Sequence, residues 1–172
     1  QVSLAQLRDA PATQRLVWEV SNRHLRDRPV HVDVAVLTNI TANHIEDHGS
    51  WDAYVRAKLR LLRSSTTDAV VTATDAESRR HLDGLPGTVW AVGERTEPGR
   101  AGAWVEGGRI LLRPPQGDVV DVAPIDALTL PGEHNRTNLL SALAATAAAG
   151  ADLAEVAARI PSFGGLAGRL EL

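Results

Sequence analysis

The sequence predicts an α/β fold: a mostly parallel sheet flanked by helices, with a small antiparallel β-meander. Three observations predict it. Strand-like and helix-like segments alternate through residues 1–97, the order of a parallel sheet with crossover helices. One of these segments, Val30-His-Val-Asp-Val-Ala-Val-Leu-Thr38, is β-branched and nearly continuous in its second half, as suits a strand buried on both faces. Further on, Gly107-Gly108 separates two apolar runs, and paired glycines supply the positive φ angles of a type I′ hairpin turn.

The elements follow in order. Arg15-Leu-Val-Trp-Glu-Val-Ser21 reads as a first strand that ends in polar residues, and Val30 to Thr38 as a second. Ser50 is suited to cap a helix running to about Leu62, with Tyr54, Lys58 and Leu61 at helical spacing. Asp68-Ala-Val-Val-Thr-Ala73 reads as a third strand, Asp75 opens a short polar helix to about Leu82, and Thr88-Val-Trp-Ala-Val92 is a fourth strand. After Gly93 the pattern changes. Residues 101–123 read as the meander, with a loop from Arg113 to Gly117 through Pro114 and Pro115. Residues 132–172 read as helical: Asn135 to Ala149 is stopped by Gly150, and a last helix starts at Asp152 and ends at Pro161. Leu153, Val156 and Ile160 mark the buried face of that last helix.

Composition narrows the function classes. A chain of 172 residues buries a core without disulfides or metals, and 44% hydrophobic with 23% charged residues is ordinary for a globular domain. The absence of Cys excludes a disulfide scaffold, a thiolate zinc site and a cysteine nucleophile. A net charge of −3 gives no nucleic-acid footprint. Gln1 to Ala12 is polar rather than a signal peptide, and no apolar run reaches membrane-spanning length. A soluble, cytoplasmic protein without membrane insertion is expected. The chain contains no Met and begins with Gln1, so a segment of a longer protein is expected.

Four clusters carry chemistry. Glu19-Val-Ser-Asn22 places a carboxylate where the first strand should end, and open α/β sheets bind ligands beyond the carboxyl ends of their strands. Read alone, it is better taken as a loop carboxylate in solvent. Thr38-Asn-Ile-Thr-Ala-Asn-His44-Ile-Glu-Asp-His48 follows a buried strand with enough oxygen and imidazole donors for a metal or for phosphate oxygens. The same Asn and Thr side chains also suit a polar loop that satisfies its own backbone. Lys58 lies on the next helix. There it is a solvent-facing lysine, or, if buried by the His44 loop, a nucleophilic amine. Leu130-Pro-Gly-Glu-His-Asn135-Arg-Thr-Asn138 opens a helix, where side-chain amides either read a base edge or cap the helix.

Four segments resemble, in order and spacing, the central domain of the Mur ligases, and most nearly the D-glutamate-adding branch. They are Asn39-Ile-Thr-Ala-Asn-His-Ile-Glu46, His48-Gly-Ser-Trp-Asp-Ala-Tyr-Val-Arg-Ala-Lys58, Gly132-Glu-His-Asn-Arg-Thr-Asn138 and Ser162-Phe-Gly-Gly-Leu-Ala-Gly-Arg-Leu-Glu171. The resemblance runs from about Leu16 to the end. It implies the carboxy-terminal part of a central, ATP-binding domain of P-loop type over residues 1–172. It also implies ATP-driven amide ligation through an acyl phosphate, with glutamate added to UDP-N-acetylmuramoyl-L-alanine in peptidoglycan synthesis. Cofactors would be ATP and Mg²⁺; the full-length protein would be a monomer. By the same resemblance, Glu19 corresponds to a carboxylate associated with one Mg²⁺, and His44 to the histidine that binds the second. Lys58 corresponds to a lysine that is carbamylated and so becomes an anionic metal ligand. Asn138, supported by Asn135, corresponds to the amide that contacts adenine, and Arg169 to an arginine near the nucleotide phosphates. Lys58 and His44 would be the catalytic pair.

The sequence departs from the family pattern at three places. The usual Asp-His-x-Asp is Asn43-His44-Ile45-Glu46, the usual Ser-Ser-Phe is Ser21-Asn22-Arg23, and no Gly-x-x-Gly-Lys-Thr-Thr phosphate loop occurs. Without that loop the 172-residue chain alone is expected to be inactive. The departures leave two alternatives: a divergent Mur-like or folylpolyglutamate synthase-like ligase, and a non-catalytic binding module that keeps the fold. An upstream phosphate loop in frame would separate the ligases from the binding module.

Overall fold

The computed structural model describes residues 15–21, 25, 30–42 and 45–164. Its elements in chain order are β1 (Val32–Leu37), α1 (Ile45–His48), α2 (Trp51–Arg63), β2 (Ser65–Thr72), α3 (Ala76–Arg79) and β3 (Thr88–Val92). There follow β4 (Ala101–Glu106), β5 (Arg109–Arg113), β6 (Val120–Pro124), α4 (Glu133–Ala148) and α5 (Leu153–Arg159). The strands form one six-stranded sheet in the order β1-β2-β3-β4-β5-β6. The pairs β1–β2, β2–β3 and β3–β4 are parallel. The pairs β4–β5 and β5–β6 are antiparallel. The meander is therefore a continuation of the parallel sheet, joined to it through β4, and not a separate sheet.

The alternation of side chains along β2 builds the core. Ala69, Val71 and Ala73 face Tyr54, Val55, Leu59 and Leu62 of α2, and all of them are buried. Val70 faces the other way, with Trp90, Val92, Ala103, Ile110 and Leu112, under Leu140, Leu143 and Ala144 of α4. Strands that follow one another in the same direction put their crossover helices on the same face, so α2 and the α3 segment with Leu82 share one side. Helix α4 returns across the opposite side, and Leu153, Val156 and Ile160 extend that layer.

Local chemistry sets the ends of the elements. The Ser50 hydroxyl accepts from the Ala53 N–H at 3.2 Å to open α2. Asp75 accepts from Ser78 N–H at 2.7 Å to open α3, and Asp152 from Ala154 N–H at 2.8 Å to open α5. Gly107 and Gly108, with φ of 57° and 74°, make the β4–β5 turn. The outer hairpin is tied across its surface by Arg109, which donates to both oxygens of Asp121 at 2.9 Å. That hydrogen bond raises the Arg109 pKa above its ordinary value.

Three sequence expectations differ from the structure. Residues 15–21 form no strand, and Leu16, Val17 and Trp18 are exposed. A β-propensity run becomes a strand only by pairing, and residues 15–21 do not take up the outer edge of β1, which among the described residues pairs with β2 alone. β1 is also not buried on both faces throughout, because Val36 remains 36% exposed at that edge. Finally, α4 begins at Glu133, with Gly132 rather than Asn135 at its N-cap.

Two substitutions test this packing. A Cβ at Gly102 would lie 2.3 Å from the Ala91 carbonyl oxygen and 2.5 Å from Thr96 Cγ2. Gly102→Ala is therefore expected to destabilise the β3–β4 junction by at least ~1–3 kcal/mol in urea unfolding, the usual cost of overpacking. Leu143→Ala, under the sheet, is expected to cost ~2–5 kcal/mol in the same measurement.

Candidate active site

The carboxyl ends of β1, β2 and β3 lie along one edge of the sheet, where α/β folds place ligands. The loop after β1 begins there with Thr38 and Asn39, both exposed, and is anchored by the buried Ile40. Helix α2 delivers Lys58 to this loop. The Lys58 Nζ donates to the Asn39 carbonyl oxygen at 2.7 Å and lies 5.0 Å from the centre of the Tyr54 ring, one helical turn back. Tyr54 is only 2% exposed. Its ring is held by His48 edge-on at 5.6 Å and 70°, and by Trp51 at 5.6 Å and 38°. The Nε2 of His48 is buried without a hydrogen-bond partner among the described residues.

Lys58 is partly buried, so it is neither a fully solvated surface lysine nor a group sealed in the core. It also lines a small groove of about 100 Å³ with Val36, Thr38 and Val20. Val20 follows Glu19, so the structure brings the neighbourhood of Glu19 to Lys58, although Glu19 itself is exposed. His44 lies outside the described residues, as does Arg169. Among the described residues, no three His, Asp or Glu side chains converge on a cation-sized point. An ammonium is not a metal ligand, so Lys58 in its unmodified form is not one.

The amides of the helix opening separate into two roles. The Nδ2 of Asn135 donates to the Pro131 carbonyl at 2.7 Å, which ties the first turn of α4 to the preceding loop. Asn138 is exposed one turn from the helix start. Ala147 and Ala148, in the last turn of α4, line a groove of about 300 Å³ with Asp68 and Thr88 at the entry halves of β2 and β3. Helix α4 therefore runs antiparallel to the parallel strands. Its first turn lies toward the same sheet edge as Lys58, on the opposite face from α2.

Two contributors to this edge were not singled out from sequence. Tyr54 sits four residues before Lys58, and that spacing is the signal for its ring contact. Arg79 donates through Nε and Nη2 to the Ala73 carbonyl at 3.0 and 2.9 Å and also pairs with Glu94, closing the edge between β2 and β3. Backbone acceptors such as Asn39 and Ala73 leave no mark in a sequence.

Comparison with known proteins gives a consistent picture. The family profile "Mur ligase middle domain" matches residues 1–146. A UDP-N-acetylmuramoylalanine–D-glutamate ligase of Parasynechococcus marenigrum is 32% identical over 163 residues, covering 91% of this chain and 33% of that protein. One from Symbiobacterium thermophilum is 32% identical over 171 residues, covering 98% and 37%. The chain thus spans about a third of the length of these relatives. Among solved structures, MurF from Acinetobacter baumannii has a TM-score of 0.53 at 27% identity, over 81% of this chain and 31% of that one. A murein peptide ligase from Psychrobacter arcticus has a TM-score of 0.60 at 19% identity, covering 83% and 29%, and shares the fold.

Stability measurements should separate the two amides. Asn135→Ala, which breaks a hydrogen bond, is expected to cost ~1 kcal/mol. Asn138→Ala is expected to stay within ~0.5 kcal/mol of the parent, as for other exposed positions.

Proposed function

As this chain belongs to the Mur ligase middle-domain family, we propose that it is the ATP-handling part of a cytoplasmic ligase that adds glutamate to UDP-N-acetylmuramoyl-L-alanine. The observation that carries the reading is Lys58, held by the Asn39 carbonyl at the ligand-binding edge of the sheet within the family match. The D-glutamate ligases that it resembles over nearly its whole length support glutamate as the amino acid.

In this reading a substrate carboxylate takes the γ-phosphoryl group of ATP, and the glutamate amine displaces phosphate to form the amide. Such chemistry is mostly positioning and charge neutralisation. Asn138 faces the adenine from the first turns of α4, with Asn135 holding that turn, and Arg169 serves the phosphates. Lys58 reacts with CO₂ as the free amine: the N–C bond forms, one proton leaves, and a carbamate anion remains. Glu19, His44 and that carbamate would together supply anionic and imidazole donors; among the described residues no three such side chains already converge. Mg²⁺ would neutralise phosphate charge when bound.

Three measurements on the full-length protein test this. Lys58→Ala is expected to lose most activity, on the order of the 10²-fold that misplacing a reacting group costs, with partial recovery on adding formate or acetate. Full activity in that variant would remove the carbamate role. Asn138→Ala is expected to weaken ATP binding while leaving the unfolding midpoint unchanged; unaltered ATP affinity would leave Asn138 as a helix-surface residue. Incubation of UDP-N-acetylmuramoyl-L-alanine with D-glutamate, L-glutamate and other amino acids is expected to give product with D-glutamate. Turnover of a folate or another acid acceptor instead would favour the divergent-ligase alternative.

A further inference from the structure

We infer that Tyr54 is a positioning residue: its ring face and the Asn39 carbonyl fix where the Lys58 nitrogen lies and which way a planar group built on it must face. The inference rests on the carbamate reading above only for the identity of that group. The ring is buried and wedged between His48 and Trp51, so it is a fixed wall rather than a mobile side chain. Lys58 is tethered at two points, by the 2.7 Å bond to Asn39 and by the ring centre 5.0 Å away.

The chemistry of the modification preserves one of these tethers. The free amine attacks CO₂, the new N–C bond forms, and the nitrogen gives up one proton to solvent. The product, an N-alkyl carbamate, keeps a single N–H. That N–H has the Asn39 carbonyl as its acceptor, so the nitrogen need not move. With the N–H direction set, the flat N–CO₂ unit retains rotation about one axis, and the immobile Tyr54 ring limits it sterically, as a wall on one side. The two carboxylate oxygens are then directed away from Asn39. A donor held in one orientation keeps the groups it positions in reacting geometry, and small misplacements are costly.

The test is NMR of the natural full-length protein, with specifically labelled lysine and with ¹³C-bicarbonate, combined with kinetics. In the parent protein the Lys58 ε-methylene protons are expected to be shifted upfield by the ring and to show cross-relaxation with the Tyr54 ring protons. Neither observation needs a variant, and absence of both overturns the inference. Tyr54→Phe is expected to retain the shift and the activity. Tyr54→Leu, if folded by its amide spectrum, is expected to lose the shift and lower kcat roughly tenfold, inside the ~10²-fold cost of a 1 Å misplacement, with KM for ATP unchanged.

The carbamate is read separately. Its ¹³C resonance should appear in bicarbonate, vanish in Lys58→Ala, and move between the parent and Tyr54→Leu but not between the parent and Tyr54→Phe. Shifted ε-protons with no carbamate resonance would uphold the placement of Lys58 by Tyr54 and overturn the carbamate reading. A carbamate resonance and kcat identical in the parent and Tyr54→Leu would do the reverse.

Discussion

The second half of β2, Ala69 to Thr72, has no solvent face, and the rest of the structure is arranged to satisfy that constraint. Ala69 and Val71 must be covered on one side and Val70 on the other, and each of these residues is 0% exposed. Two layers are therefore required. Helix α2 provides one, placed there by the crossover from β1 to β2. Helix α4 provides the other, and it reaches that face only after the chain has travelled through the whole meander. Burying a Val or Leu side chain contributes ~1.5–3 kcal/mol, so the doubly covered strand holds a large share of the folding free energy. The meander is part of the same solution, since β4 continues the sheet in parallel from β3 before the hairpin reverses.

That packing also fixes the geometry of the edge that carries Lys58. Helix α2 is pinned to the sheet by Val55, Leu59 and Leu62, so its partly exposed side can hold Lys58 steadily against the loop after β1. Tyr54 links the two roles, because it belongs to the core cluster and also presents its ring to Lys58. On the other face, Leu140 and Leu143 pin α4 with its first turn toward the same edge. The lysine and the asparagines thus approach one edge from opposite faces, each carried by a helix that also completes the core. Arg79 fastens the edge between them by holding the Ala73 carbonyl and pairing with Glu94.

Much of this was legible in the residues. Caps named themselves: Ser50, Asp75 and Asp152 each accept the backbone hydrogen bond their position suggested. The Gly107-Gly108 hairpin, the parallel strands and the family motifs were readable for the same reason, since each depends on local chemistry or on a short periodic pattern. Residues 15–21 mark the opposite case. Their pattern is that of a strand, yet they form none, because strand formation depends on pairing with a distant segment, which local sequence does not settle.

By itself, then, the sequence determined the elements from β1 onward, the turns and the family, including which residue types stand in the motif positions around Lys58 and Asn138. Tertiary structure alone decided that the meander joins the parallel sheet, that α4 runs antiparallel to the strands on the face opposite α2, and that Asn39 offers its carbonyl to Lys58. The physical reason is that caps and turns are settled within a few residues of chain. Sheet continuation, helix direction and backbone acceptors are settled by which distant surfaces must cover one another.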